Sequence, residues 1–570
     1  MKWSLLIYCL FGLCSHAAEI VPESDPHKLL LKLPGSVEIN QQLTQAYDGC
    51  KKADVASSIA LIEQVLAEKM ASSEQKAFAQ LFLSQLLQRQ KKTAEAEQAL
   101  AAARNLYGSN HEALAHSWMT LARMAAACAQ QQEALQAWHQ AASLPDLAPD
   151  KHVFFMMELG KAQVLQGDGK AAVKTLTDAA ETEGILHEQE FAVILQRADA
   201  FKLLGDHDAC FKDYSLLTNW IEMPDTLRAK AFVNRGILYH AIKDFDRAIE
   251  DATKVIDSLP AATAEDIASA HYNRAGVWLE RGKTKEALAD YHAVTLLAEA
   301  PAKTRAFAFT KIADAHVRAG RFGDALTELS KAAALSELPR DTLAFVLVKR
   351  AIQNARSNHT EAAIQDFTTV LATPEADVSS ISEALYSRGT LLLASRRYDE
   401  ATADFTRATQ LEGVPPGYLG NIWLKFGSLY EKTGRTNEML AALARSADIP
   451  GVTDEHVATA LNYRALQLAE AGDSKAAITD LNRVISLAGI TPLLRMKSRA
   501  LRGLQYIKLG DSEQSLADLD AAISFPDFPE SMLSDLLFKR ALIYDHLKRP
   551  DDADPDRKRA RLINEKLLKK

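Results

Sequence analysis

A residue pattern that returns every thirty-eight positions constrains this chain before any local reading does. One period is seen from Asn234 to Ile256, NRGILYHAIKDFDRAIEDATKVI. Phe232, Gly236 and Tyr239 fall at helical spacing, a polar turn follows at Lys243 and Asp244, and Ala248, Ala252 and Val255 begin a second apolar stripe. The pattern is that of a helical hairpin. Thirty-nine residues later it returns as NRAGVWLERGKTKEALADYHAVTLL from Asn273. The residue before the small position of each first helix gives the series Gln45, Leu83, Leu121, Leu159, Arg197, Arg235, Arg274, Ile312, Arg350, Arg388, Phe426, Arg464, Arg502 and Arg540. These are fourteen units in one register, and the 570 residues therefore count repeats rather than globular domains.

Proline punctuates the units. Pro145, Pro149, Pro224, Pro260, Pro301, Pro339, Pro374, Pro415, Pro416, Pro450, Pro492, Pro526 and Pro529 lie where one hairpin ends and the next begins. Proline cannot continue a helix interior and suits the first turn of a new one.

These positions resemble the tetratricopeptide repeat (TPR). Trp118 and Trp423 stand in its first aromatic slot, Gly160, Gly236, Gly389, Gly427 and Gly503 in its glycine slot, and Tyr239, Tyr430, Tyr506 and Tyr544 in its tyrosine slot. In the second helix, Ala248, Ala287, Ala325, Ala401 and Ala477 take the small slot, followed by Tyr291, Phe367 and Phe405. The resemblance implies an all-α, right-handed superhelical solenoid of about fourteen stacked helix-turn-helix units. The period departs from the family's usual thirty-four, which implies longer connections and a changed superhelical pitch.

A second departure is chemical. Where the family usually has Leu, eight units carry Arg, and the same eight carry Asp sixteen residues on. The pairs are Arg197/Asp213, Arg235/Asp251, Arg274/Asp290, Arg350/Asp366, Arg388/Asp404, Arg464/Asp480, Arg502/Asp518 and Arg540/Asp556. Each pair is centred on the hairpin turn, so the two residues lie side by side across antiparallel helices. The expectation is a structural bidentate ion pair that pins the register of each hairpin. The remaining units replace it with Ile312 and Glu328, with Phe426 and Ala442, or with no pair in the first four.

Residues 1–17 read as a signal peptide: Lys2 gives a positive start, Leu5 to Leu13 an apolar core, and Ser15, His16 and Ala17 a small-residue exit. That core is shorter than the roughly 20 residues a membrane span needs, so no stable span is expected after cleavage. The expected product is an exported chain of bacterial type, periplasmic or secreted. Residues 18–37 read as a linker lying against the first unit, 38–185 as Ala/Gln-rich units, 186–556 as units with Arg/Asp pairs, and 557–570 as a basic end that caps the last helix.

A formal net charge of −8, with basic residues concentrated only at Arg557, Lys558, Arg559 and Arg561, opposes nucleic-acid binding, because neutralising phosphates requires a basic groove. Cleavage leaves Cys50, Cys128 and Cys210 in three different units, which gives no disulfide framework. The histidines lack metal-ligand spacing, and Gly167-Asp168-Gly169-Lys170 occupies a hairpin turn without the rest of a phosphate loop. No cofactor, metal or catalytic set is expected, and the chain reads as a non-enzyme.

The resemblance implies a concave surface lined by first helices that receives a peptide or a partner's helix. Two residues before each small slot stand Asn234, Asn273, Lys311, Lys349, Ser387, Lys425 and Tyr463, the candidate binding row. Flanking positions that a carboxylate clamp would fill with Lys and Asn are apolar here, as at Val233, Ile237, Tyr272 and Val277. The expected function is a scaffold for a protein or peptide partner in the cell envelope. The alternative is an accessory protein that binds an envelope polysaccharide or serves export or assembly.

Overall fold

The computed structural model describes residues 25–568 apart from 221 and 375. The expected signal peptide lies outside the described residues. Among those residues the chain forms twenty-nine α-helices and no strand. It divides into two compact units, Met1–Glu299 and Ala300–Lys570. Within each unit every helix packs against the next in sequence, so each is a stack of helical hairpins. First helices of successive hairpins also touch, as Asp225–Ala241 touches Ala264–Glu280 in one unit and Arg340–Arg356 touches Val378–Ala394 in the other. This brings the first helices together as one layer of each stack.

The hairpin turns keep strict register. Fourteen residues, each eight positions after the slot that defines its unit, have φ between +57° and +86°. They run from Ala53 through Lys243 and Gly282 to Lys548. Seven are glycine, for which this left-handed backbone is unstrained. The second helix then starts on a cap. Asp54, Asp168, Asp206, Asp244, Asp473 and Asp511 each accept a hydrogen bond from a backbone N–H in the helix's first turn. Prolines at or beside the start of the first helices, among them Pro149, Pro224, Pro339, Pro415 and Pro492, separate one hairpin from the next.

The core changes character along the chain. From Leu30 to Leu159 the buried apolar side chains join in one cluster that includes Tyr47, Phe78, Phe82, Trp118, Trp138 and Phe155. Later hairpins pack around smaller separate clusters, such as the one holding Phe191, Cys210 and Tyr214. The slot residue accounts for the difference. Leu83, Leu121 and Leu159 extend an apolar seam, whereas Arg interrupts it with a polar pair in each later hairpin that carries one. The segment 18–37 contains a short helix, Pro26–Leu31, because Asp25 caps it, Pro26 suits its first turn and Leu30 is fully buried. His27 reaches Asp48 at 2.8 Å and holds it to the first hairpin.

Cys50 and Cys210 are buried and Cys128 is half-buried, all as free thiols. Burial pushes the Cys210 thiol up to about 12, so it packs as a neutral side chain. The C-terminal residues to 568 belong to one helix, Pro550–Leu568, in which Lys566 pairs with Glu530 at 2.6 Å.

Candidate functional site

In all eight Arg/Asp hairpins the guanidinium donates from both Nε and Nη2 to the two oxygens of its Asp. Arg197 holds Asp213, Arg235 holds Asp251, Arg274 holds Asp290 and Arg350 holds Asp366. Arg388 likewise holds Asp404, Arg502 holds Asp518 and Arg540 holds Asp556. In these seven both distances lie between 2.6 and 2.9 Å. Arg464 makes the same fork with Asp480.

The carboxylates are closed off from solvent. Asp213, Asp366, Asp404 and Asp518 are buried, as are Asp251, Asp290, Asp480 and Asp556, while the Arg side chains are half-buried. Both oxygens of each carboxylate are engaged by its guanidinium, as the expected ion pair requires. Asp366 accepts in addition from Asn354 Nδ2 at 3.3 Å, and Asp290 lies 2.8 Å from His271 Nδ1. At Asp251 burial pushes the carboxyl up. At Asp290 burial acts the same way, but hydrogen bonds from Arg274 and His271 outweigh it and hold the carboxyl below its usual range. In the two variant hairpins, Phe426 and Ala442 are buried together, while Ile312 is buried and Glu328 turns to Lys331 at 2.7 Å.

The expected fork is present in each of these hairpins, and in five of them the third nitrogen of the guanidinium reaches further. Nη1 of Arg235 donates to Thr218 at 2.7 Å, that of Arg274 to Thr253 at 2.9 Å and that of Arg388 to Thr368 at 2.8 Å. Arg502 reaches Asn482 and Arg540 reaches Asp520, both at 2.6 Å. Each acceptor lies on the second helix of the preceding hairpin, so one side chain ties three helices together. A signal was available: Thr253, Thr368, Asn482 and Asp520 each stand two residues after the Asp of their own hairpin.

Within each unit the candidate binding row follows the seam between successive first helices, with Asn234 and Asn273 in one unit and Lys311, Lys349, Ser387, Lys425 and Tyr463 in the other. Asn234, Asn273, Lys311, Lys349, Ser387, Lys425 and Tyr463 are all half-buried, rather than open as a lone helix face implies. The reason is the packing of first helix on first helix. Lys349 reaches Asp314 of the previous first helix at 3.5 Å, and the Tyr463 hydroxyl donates to Glu431 in the same sense. Ser387 donates to Glu383 at 2.9 Å, and that carboxylate also accepts from Tyr418. Asn273 Nδ2 is buried without a partner, beside Phe232, Val233 and Gly236. Among the described residues Lys311 and Lys425 have no ion-pair partner. One member of the row escaped the sequence reading: Gln196, thirty-eight residues before Asn234, is buried with both amide atoms unpartnered.

Among the described residues no group of three or more His, Cys, Asp or Glu side chains is placed to hold a metal ion. No helix there is long and apolar enough to cross a membrane.

The stacked hairpins, their common turn and the slots filled along them decide the class. The chain is a TPR-like helical repeat protein. No protein-family model matches it, and no curated protein matches it by sequence. Among solved structures it is similar to BtubC (BKLC) from P. vanneervenii, at 15% identity and a TM-score of 0.32, over 39% of this chain and 92% of that one. It is also similar to the APC/C hetero-tetramer Cut9-Hcn1, at 15% identity and a TM-score of 0.27, over 80% of this chain and 94% of that one.

Proposed function

We propose that this TPR-like chain is a non-enzymatic scaffold that holds a protein or peptide partner against its first helices. The observation that carries the reading is the row itself. Amide and ammonium groups recur at one register position, and Lys311 and Lys425 keep unused donors, with no ion partner among the described residues. A peptide backbone or a partner's carboxylates supply the acceptors that such donors need. The polysaccharide alternative asks for aromatic rings beside available carboxylates. On this face the carboxylates of Glu383 and Glu431 are already engaged by the hydroxyls of Tyr418 and Tyr463, which favours the protein reading.

The proposed site of action is outside the cytoplasm, in a cell envelope of bacterial type or beyond it. The reading rests on Lys2, the apolar run from Leu5 to Leu13 and the exit at Ala17. N-terminal sequencing of the exported protein is expected to begin at Ala18. A chain starting at Met1 in the cytosolic fraction would reverse that assignment.

The partner reading is tested by affinity capture from the envelope of the source cell. The bait is the mature chain, run beside a Lys311→Glu, Lys349→Glu, Lys425→Glu variant with an unchanged thermal midpoint. A defined protein retained by the wild type and lost by the variant is the expected result. Capture of envelope polysaccharide with no protein would support the alternative.

A further inference from the structure

The hairpin formed by Asp225–Ala241 and Phe245–Ser258 holds a cleft of about 430 Å³. It is separate from the candidate row. The row lies between successive first helices, whereas this cleft lies between the two helices of one hairpin and is edged by the end of the preceding second helix. The Arg235–Asp251 pair lines it, and both of its charged groups are satisfied by each other and by Thr218. Phe232 and Tyr239 supply apolar wall, with the Arg235 guanidinium 5.4 and 5.8 Å from their ring centres.

Three further cations line the same cleft, of which Arg247 is paired with Asp244 at 2.8 Å. Arg228 donates from Nη2 to Asp225 at 2.6 Å, but its Nε is shielded from solvent and has no acceptor. Lys254 is exposed and has no carboxylate partner among the described residues. One turn before it, Glu250 is likewise exposed, makes no ion pair among the described residues, and acts on the Arg235–Asp251 pair through its charge alone. Arg228 and Lys254 both line the cleft, and an oxyanion placed between them is drawn to both charges. Glu250 limits the charge: beside it a singly charged carboxylate is favoured over a doubly charged phosphate. The apolar walls suit the methylene stem of a side chain behind that carboxylate.

We infer that this cleft receives an acidic side chain of a partner segment, its carboxylate held between Arg228 and Lys254. The inference rests on the partner reading above, but it uses a different surface.

The test is fluorescence anisotropy of the mature chain with a fluorescein-labelled hexaglutamate peptide. Lys254→Gln and Glu250→Gln are the informative variants, because both side chains are exposed and neither makes a hydrogen bond or ion pair among the described residues. The expected result is salt-sensitive binding to the wild type, a dissociation constant about tenfold higher in Lys254→Gln, as loss of one charge-assisted bond implies, and a lower one in Glu250→Gln. No binding, equal affinity in all three proteins, or displacement of the peptide by inorganic phosphate at a lower concentration than by free hexaglutamate would overturn the inference. If it is overturned while the envelope partner is still captured through the Lys311, Lys349 and Lys425 row, the scaffold reading stands without this site.

Discussion

The guanidinium of Arg540 reaches Asp520, on the second helix of the preceding hairpin, at 2.6 Å, while its other two nitrogens hold Asp556 at 2.7 Å. Register within a hairpin and docking between hairpins thus depend on one side chain. In a repeat stack, where stability is the sum of unit and interface contributions, such a link transmits cooperativity from unit to unit. Lysine cannot reproduce it, because an ammonium lacks the planar fork.

Arg540→Lys is therefore expected to loosen the last hairpin ahead of the units before it. Hydrogen exchange read by mass spectrometry checks this: the amides of Pro550–Leu568 should exchange faster in the variant, with those of Arg340–Arg356 unchanged. Uniform protection along both helices in the variant would contradict the link.

Close helix packing sets a second expectation at Gly389. A Cβ there would stand 2.5 Å from Phe405 Cε1, whose ring is fully buried. Gly389→Ala should lower stability by about 1–3 kcal/mol through overpacking. Gly323 is the control. It is also helical, but a Cβ added there would meet no atom within 4 Å, and Gly323→Ala should stabilise by about 0.4–1 kcal/mol. Urea titrations of both variants measure the contrast.

His456 gives a pH dependence. Its Nε2 lies 2.9 Å from Ser446 Oγ, and burial pulls the imidazole below its ordinary value of 6.5. The unfolded chain therefore binds this proton more readily than the folded one. Stability from this site is complete above pH 6.5 and falls as the pH drops from there toward the folded value. Thermal midpoints at pH 7.5 and 5.0 should differ more for the wild type than for His456→Gln. An identical difference in the two proteins would show that His456 does not set it.

Much of this architecture was legible in the chain because a repeat states each rule many times. The common turn position, from Ala53 to Lys548, follows directly from the period. Placing Arg235 beside Asp251 needed only their equal distance from Lys243, and the same reasoning placed Asp213, Asp366, Asp404 and Asp518 beside their arginines. What could not be read depends on how one hairpin meets the next. The bond from Arg235 to Thr218 and the burial of Gln196 and Asn273 are properties of the interface between hairpins, and a helix face read alone makes that row look open. The cleft beside Lys254 was equally hidden, since its lining comes from three helices.

A buried Arg–Asp fork holds each hairpin that has one. A double-mutant cycle on Arg235 and Asp251 tests this most directly, because Asp251 is only 4% exposed. Asp251→Ala should destabilise by about 3–5 kcal/mol through stranding the Arg235 charge, and adding Arg235→Leu should recover most of that loss. Equal losses in the single and the double variant would mean that the fork does not hold the hairpin.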